Sequence, residues 1–172
     1  QGVIRFSFGG DMGLTLQSED FENGGEIPRL FTCDGQDLPP SLRWSDLPPG
    51  TRSLALIMDD PDAPDPAAPQ RTWVHWVLFN IPATSGGVPD TGKNKLPNGT
   101  QAGINDWQRT GYGGPCPPIG RHRYYFKLFA LDTELAGLAK PTKTELEKAI
   151  QGHIIDHTEL VGLYQRTGKT PG

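Results

Sequence analysis

The sequence predicts an all-β fold: a two-sheet, Greek-key-like β-sandwich with a short helical addition in its C-terminal part. The 172 residues include 22 glycines and 17 prolines, which favour many turns and short strands over long helices. Strongly β-forming apolar segments alternate with clusters of turn residues. With 35% hydrophobic residues, the length fits one domain over residues 1–172, with an ordered core over about residues 12–166.

The first half of the chain predicts short strands and one long core strand. Residues 21–50 alternate turn residues with single apolar anchors, so we expect short strands and loops there and no helix. The continuous apolar run from Ser53 to Met58 predicts a buried strand. That run stops at Asp59 and Asp60, so the strand should present these carboxylates at its C-terminal edge.

Two further strands each begin near a histidine. Residues 73–81 have a period of two that places Trp73, His75, Val77 and Phe79 on one face, with Val74, Trp76 and Leu78 on the other. Residues 122–131 place His122, Tyr124, Phe126 and Leu128 on one face, with Arg123, Tyr125, Lys127 and Phe129 on the opposite, more polar face. Each histidine therefore lies near the start of a strand, on its more apolar face.

The remaining segments predict a loop, a helix and a final strand. Residues 83–103 are rich in Gly, Pro, Asn and Thr and predict a long surface loop near the site. Thr142 and Glu145 form a capping-box pattern ahead of an apolar spacing, which predicts a short helix. We expect a second helical turn over residues 152–157, strand-like alternation over residues 159–165 and a frayed end over residues 168–172.

Charge and hydropathy argue against two classes of partner. The net charge is −4 and the basic residues are scattered, so a nucleic-acid partner is not expected. The longest apolar run, from Leu54 to Met58, is far shorter than the roughly 20 residues of a membrane span. Gln1 fits either a signal-cleavage product, with a periplasmic or secreted protein, or a trimmed cytoplasmic chain. Homodimer formation stays open.

Two polar, turn-rich segments, residues 59–64 and 111–118, run into the histidine-bearing strands and carry most of the functional information. Their prolines restrict the backbone, so we expect a stiff pocket between two loops and two strand starts. Three interpretations of such a pocket are open. A metal site is disfavoured, because each strand supplies only one histidine. A hydrolase would use Cys116 as nucleophile and His122 as base, although Cys116 lacks the helix N-terminus that would activate a thiol.

An anion pocket fits the residue types better. A histidine that protonates near neutral pH and backbone N–H groups beside glycines suit a phosphate or carboxylate. Two carboxylates next to an anion would repel it, so we expect one to be held by protein groups and the other to face a ligand ammonium or hydroxyl. The two cysteines, Cys33 and Cys116, are compatible either with a disulfide or with two free thiols.

The chain resembles the phosphatidylethanolamine-binding protein family, in particular its bacterial and archaeal branch of Raf kinase inhibitor-like proteins. The resemblance lies in Asp-Pro-Asp-Ala-Pro at residues 60–64, in His75 within its aromatic strand, in the Gly-Tyr to Pro-Pro-Ile-Gly segment at residues 111–120, in His-Arg-Tyr at residues 122–124 and in Ala-Leu-Asp at residues 130–132. It implies a sandwich of that family and a non-catalytic surface pocket for phosphate, carboxylate or phospholipid head groups of the phosphoethanolamine type. Some members inhibit kinases or proteases, so a protease or kinase target is a further expectation.

The site residues expected from this resemblance and from the residue types together fall into two groups. The ligand-binding group comprises Asp60, His75, Gly114, Pro117, His122 and Tyr124. Structural residues near the site comprise Asp62, Cys116 and Trp73. No cofactor and no metal ion are expected.

Overall fold

The computed structural model describes residues 13–89 and 95–166. Nearly all regular structure in these residues is β-sheet, and the predicted two-sheet fold with one short helix is confirmed. The elements are β1 (Thr15–Gln17), β2 (Gly25–Glu26), β3 (Leu42–Ser45), β4 (Ser53–Ala63), β5 (Arg71–Pro82), β6 (Gly87–Val88), β7 (Gln101–Ala102), β8 (His122–Leu131), α1 (Lys143–Ile150) and β9 (Ile154–Tyr164).

The long strands form one six-stranded sheet in the order β2-β9-β8-β4-β5-β7, and β1, β3 and β6 form a smaller sheet. β4 lies between β5 and β8 and is antiparallel to both. The C-terminal end of β4 therefore lies beside the N-terminal starts of β5 and β8. This arrangement brings the residues around Asp60, His75 and His122 to one edge of the sheet.

Both faces of the large sheet are buried at β4, which explains why this strand is a continuous apolar run. One face packs against the smaller sheet in a core that includes Leu42, Trp44, Leu56 and Phe126. The other face packs against α1, whose buried residues are Leu146 and Ile150. The predicted capping box is present, because the Thr142 hydroxyl accepts from the Glu145 N–H while the Glu145 carboxylate accepts from the Thr142 N–H.

The alternation predicted for residues 122–131 is confirmed, but the helical turn predicted for residues 152–157 is wrong. Gly152 adopts a φ of 85° in a turn, and β9 begins at Ile154 and pairs with β8. Pairing of β9, which begins at the β-branched Ile154, with β8 outweighs the weak local preference for a helix. His153 and His157 consequently do not share a helix face.

Three further features of the secondary structure differ from the sequence prediction. β4 continues past Met58 to Ala63, and Pro61 is tolerated because β8 pairs with β4 only as far as Asp59. Residues 21–50 contain one 3₁₀ turn at Arg29–Phe31. The segment 83–103 contains β6 and β7, and Val88 is fully buried. The predicted frayed end at residues 168–172 lies outside the described residues.

A buried ion cluster attaches α1 to the back of the large sheet. The Asp59 side chain is only 1% exposed, and its Oδ2 accepts from Lys127 Nζ at 3.0 Å and from Lys143 Nζ at 2.7 Å. Lys143 is the first residue of α1, where a positive charge opposes the helix dipole. Asp59 therefore compensates an unfavourable charge and anchors the helix at the same time.

We expect Asp59→Asn to lower the free energy of unfolding by about 2 kcal/mol, because it leaves two partly buried ammonium groups without a counter-charge. Urea denaturation followed by circular dichroism measures this change. The control is Glu147→Gln, which removes only an exposed carboxylate 3.9 Å from Lys143 and should cost less than about 0.5 kcal/mol. Equal losses in the two variants would contradict a structural role for Asp59.

Candidate ligand-binding site

A cavity of about 320 Å³ opens where the end of β4 meets the starts of β5 and β8. Its volume is at the lower end of the range for small-ligand sites. The walls combine aromatic rings, prolines and a few titratable groups. The lining residues are Asp60, Ala63, Pro64, Trp73, His75, Trp107, Cys116, Pro117, Pro118, His122 and Tyr124.

A β-bulge brings His75 into the cavity. Met58 pairs with Trp76, whereas the next residue of β4, Asp59, pairs with Val74. His75 is therefore an extra residue in β5, and the alternation of side chains changes phase at this point. The sequence-based assignment of Val77 and Phe79 to the face of His75 is wrong, since both pack in the core beside α1.

Asp60 and His122 form a buried pair at the base of the cavity. His122 Nδ1 lies 2.6 Å from Asp60 Oδ2, and the two side chains are 0% and 5% exposed. His122 Nε2 lies 2.8 Å from the Ile119 carbonyl oxygen and 3.1 Å from that of Pro64. Carbonyl oxygens only accept, so Nε2 carries a hydrogen and donates to them. Both nitrogens of His122 thus have protein partners.

The carboxylates of this corner are also fully engaged. Asp60 Oδ1 accepts from the Asp62 N–H at 2.7 Å, and burial raises the pKa of Asp60. Asp62 accepts from the Arg123 backbone and guanidinium at 2.8 to 2.9 Å, and the hydrogen bonds from Arg123 lower the pKa of Asp62. The structural role expected for Asp62 is consistent with these hydrogen bonds, which link β4 to β8. Each of the four carboxylate oxygens has a protein partner, and Asp62 is outside the cavity lining. Contact of Asp60 with a ligand ammonium or hydroxyl stays a prediction.

His75 is held by two hydrogen bonds to Gly113. Its Nδ1 lies 2.7 Å from the Gly113 carbonyl oxygen, and its own carbonyl accepts from the Gly113 N–H at 3.1 Å. Because the carbonyl must accept, Nδ1 carries the hydrogen and Nε2 of the neutral ring is an acceptor. Burial lowers the pKa of His75 from 6.5 to about 4. The ring packs edge to face on Trp107 and Tyr124.

Two polar atoms of the cavity lining are buried and lack hydrogen-bond partners among the described residues. They are Trp73 Nε1 and Tyr124 Oη. Burial raises the pKa of Tyr124, so its hydroxyl keeps its proton. A buried donor without a partner costs about 1–3 kcal/mol. Both atoms lie just beneath the accessible surface of the cavity wall, so a bound acceptor would satisfy them only after a small shift of that wall.

The rim of the cavity is covalently fixed by a disulfide bond between Cys33 and Cys116. This outcome decides between the two open interpretations of the cysteines. It also contradicts the hydrolase alternative with Cys116 as nucleophile and His122 as base, because a disulfide sulfur is no thiolate. The Cys33 N–H donates to the Pro115 carbonyl at 3.1 Å, which brings the turn beside the disulfide against the rim.

Gly114 lies next to this junction and outside the cavity lining. Its N–H donates to Asp37 Oδ1 at 2.9 Å, and a Cβ at this position would come within 2.4 Å of the Phe31 carbonyl oxygen. Glycine is therefore required for close packing of the two loops, and its N–H is not available to a ligand. The predicted contact of Gly114 with a ligand has no support in this geometry.

The described part of the chain brings Asp60, His75, Pro117, His122 and Tyr124 together around the cavity, as expected. Sequence reasoning missed four lining residues, namely Ala63, Pro64, Trp107 and Pro118. All except Trp107 lie in the proline-rich segments already noted. No described residue of the segment 83–103 lines the cavity, and residues 90–94 of this segment lie outside the described residues. Within residues 13–89 and 95–166, no three His, Cys, Asp or Glu side chains are grouped to hold a metal ion.

Comparison with known proteins agrees with this fold. The family model described as phosphatidylethanolamine-binding protein matches residues 17–165. The chain belongs to this family. A UPF0098 protein of Methanothermobacter thermautotrophicus is 45% identical over 157 residues, covering 89% of this chain and 99% of that protein.

Two solved structures of the phosphatidylethanolamine-binding protein family are similar over the whole described domain. The homologue CT736 of Chlamydia trachomatis has a TM-score of 0.83 and 35% identity, covering 91% of this chain and 99% of that chain. Escherichia coli YbcL, a member of the mammalian family, has a TM-score of 0.79 and 33% identity, covering 90% and 99%. Family membership supports a binding or regulatory protein of the bacterial and archaeal branch. In the described residues of this family member, no helix has the length and apolar character to cross a bilayer.

The low pKa of His75 predicts that acid destabilises the protein. The unfolded chain takes up a proton near pH 6.5, whereas the folded ring resists protonation down to about pH 4. The stabilisation is therefore complete above about pH 6.5, and about 3 kcal/mol is lost as the pH falls to about 4. Urea denaturation measures the free energy of unfolding across this pH range. Its decrease on acidification should be smaller by this amount in His75→Gln. The exposed His153 provides the control, and a His153→Gln variant with the same flattened profile would contradict the assignment.

The disulfide predicts a second measurable contribution to stability. It joins residues 83 positions apart, so replacing both cysteines by alanine should lower the free energy of unfolding by about 4 kcal/mol. Thiol titration of the denatured, unreduced protein should detect no free thiol. Two titratable thiols would contradict the bond.

Proposed function

We propose that this protein binds small oxyanions in the cavity, as phosphate or carboxylate groups and as phospholipid head groups of the phosphoethanolamine type, without transforming them chemically. The observation that carries this proposal is the pair of buried donors, Trp73 Nε1 and Tyr124 Oη, which lack partners among the described residues and belong to the same cavity lining. An oxyanion offers several acceptors to such donors at once. Membership of the phosphatidylethanolamine-binding protein family supports the same ligand class.

The surroundings of the two donors favour a bound anionic group over bulk water. Trp73 stacks edge to face on Trp107, and Tyr124 is fully buried between His75 and His122. Hydrogen bonds to a charged acceptor are stronger in such a weakly polar setting. Both rings pack against aromatic neighbours, so the shift that exposes the donors to a ligand must be small.

The phosphate and the ammonium of a bound phosphoethanolamine head group would lie in different parts of the cavity. The phosphate group would accept from Trp73 and Tyr124 once the cavity wall exposes these two donors. The ammonium would remain at the mouth, since Asp60 and Asp62 already have partners on all four carboxylate oxygens. An inhibitory effect on a protease or a kinase stays a prediction from the family resemblance.

Titration calorimetry with inorganic phosphate and with phosphoethanolamine tests the proposal. Trp73→Phe and Tyr124→Phe each remove one donor and keep an aromatic ring, so each should weaken binding by about fivefold to tenfold. The control is Tyr125→Phe, which removes a hydroxyl from the opposite face of β8. Failure of the wild-type protein to bind phosphate, phosphoethanolamine or acetate saturably would overturn the proposed function.

A further inference from the structure

The cavity that we propose to bind oxyanions contains no permanently positive side chain. No lysine or arginine is among its lining residues in the described part of the chain. Arg123, which follows His122, is instead paired with Asp62. The negative charge of a ligand is therefore met only by neutral donors and by the Asp60–His122 pair, which shares a proton internally.

One ring nitrogen of the cavity is an acceptor without a protein partner in the described residues. His75 Nδ1 donates to Gly113, so Nε2 carries a lone pair. Both nitrogens of His122 and both oxygens of Asp60 are bonded within the protein. Among the histidine and carboxylate atoms that line the cavity in the described residues, only His75 Nε2 has no protein partner.

We infer that the cavity selects oxyacids that still carry a proton, such as dihydrogen phosphate, a monoprotonated phosphate monoester or a carboxylic acid. The ligand O–H would donate to His75 Nε2, the ring nitrogen that has no protein partner. A fully deprotonated oxyanion such as sulfate would place an acceptor against the lone pair of His75 and leave that contact repulsive. This inference rests on the proposed function and narrows its ligand class.

The groups around His75 favour its neutral form, which the selection requires. Within the cavity it faces Tyr124, a neutral phenol, and the Asp60–His122 pair, in which the carboxylate is already matched to an imidazole. Asp59 and Asp106 lie near it outside the cavity, but each carboxylate is bonded to cationic side chains, namely Lys127 and Lys143 for Asp59 and Arg71 for Asp106. Burial of the ring also opposes its protonation.

Phosphate and sulfate are the matched probes, because they have the same shape and differ in whether they keep a proton at about pH 6. Calorimetric titration of the wild-type protein at that pH should give an affinity for phosphate at least about tenfold higher than for sulfate. Dimethyl phosphate, which has the charge of dihydrogen phosphate and no O–H, should bind as weakly as sulfate. His75→Gln offers both a donor and an acceptor, so it should reduce the preference to less than about threefold.

The outcomes separate this inference from the proposed function. Equal affinities of the wild-type protein for phosphate and sulfate would overturn the selection of protonated ligands and leave oxyanion binding intact. No saturable binding of any probe would overturn both. An unchanged preference in His75→Gln, with circular dichroism showing a folded variant, would also overturn the role of His75. The exposed His153→Gln variant should keep the wild-type preference.

Discussion

The position of β4 between two antiparallel neighbours is the constraint on which the rest of the molecule depends. Because β4 runs opposite to both β5 and β8, its end and their beginnings meet at one edge of the sheet. Two histidines that are 47 positions apart in the sequence (122 − 75) therefore reach the same cavity. The two carboxylates that follow Met58 point to opposite faces, so Asp59 anchors α1 and Asp60 enters the cavity.

The hydrogen bonds already made within the protein at this edge determine which ligand atoms the site is able to recognise. The polar atoms of Asp60, Asp62 and His122 connect β4, β8 and the loop before β8. These side chains therefore hold the cavity in shape more than they contact a ligand. The side chains with spare capacity are Trp73, His75 and Tyr124. A cavity built from residues conventionally associated with anions is thus nearly neutral inside, and its recognition is directional rather than based on net charge.

Local patterns in the sequence predicted the elements in which nothing interrupts the regular geometry. β8 follows strict alternation from His122 to Leu131, and α1 carries its own capping signal at Thr142. The phase of β5 could not be predicted, because the bulge at His75 exists only through its register with β4. The start of β9 was missed for a similar reason, since pairing with β8 decides it. The separation of Cys33 and Cys116 along the chain does not give the distance between them in space. The disulfide could therefore not be predicted from the sequence.

Three prolines form one wall of the cavity, namely Pro64, Pro117 and Pro118. They affect the binding of any ligand larger than a simple ion. A proline has no N–H, so this side of the cavity offers hydrocarbon where other backbone would offer donors. Trp107, with 38% of its surface exposed, extends the apolar wall outwards. An alkyl or aryl substituent leaving the acidic group would run along carbon, so amphiphilic molecules should gain affinity with the length of that substituent.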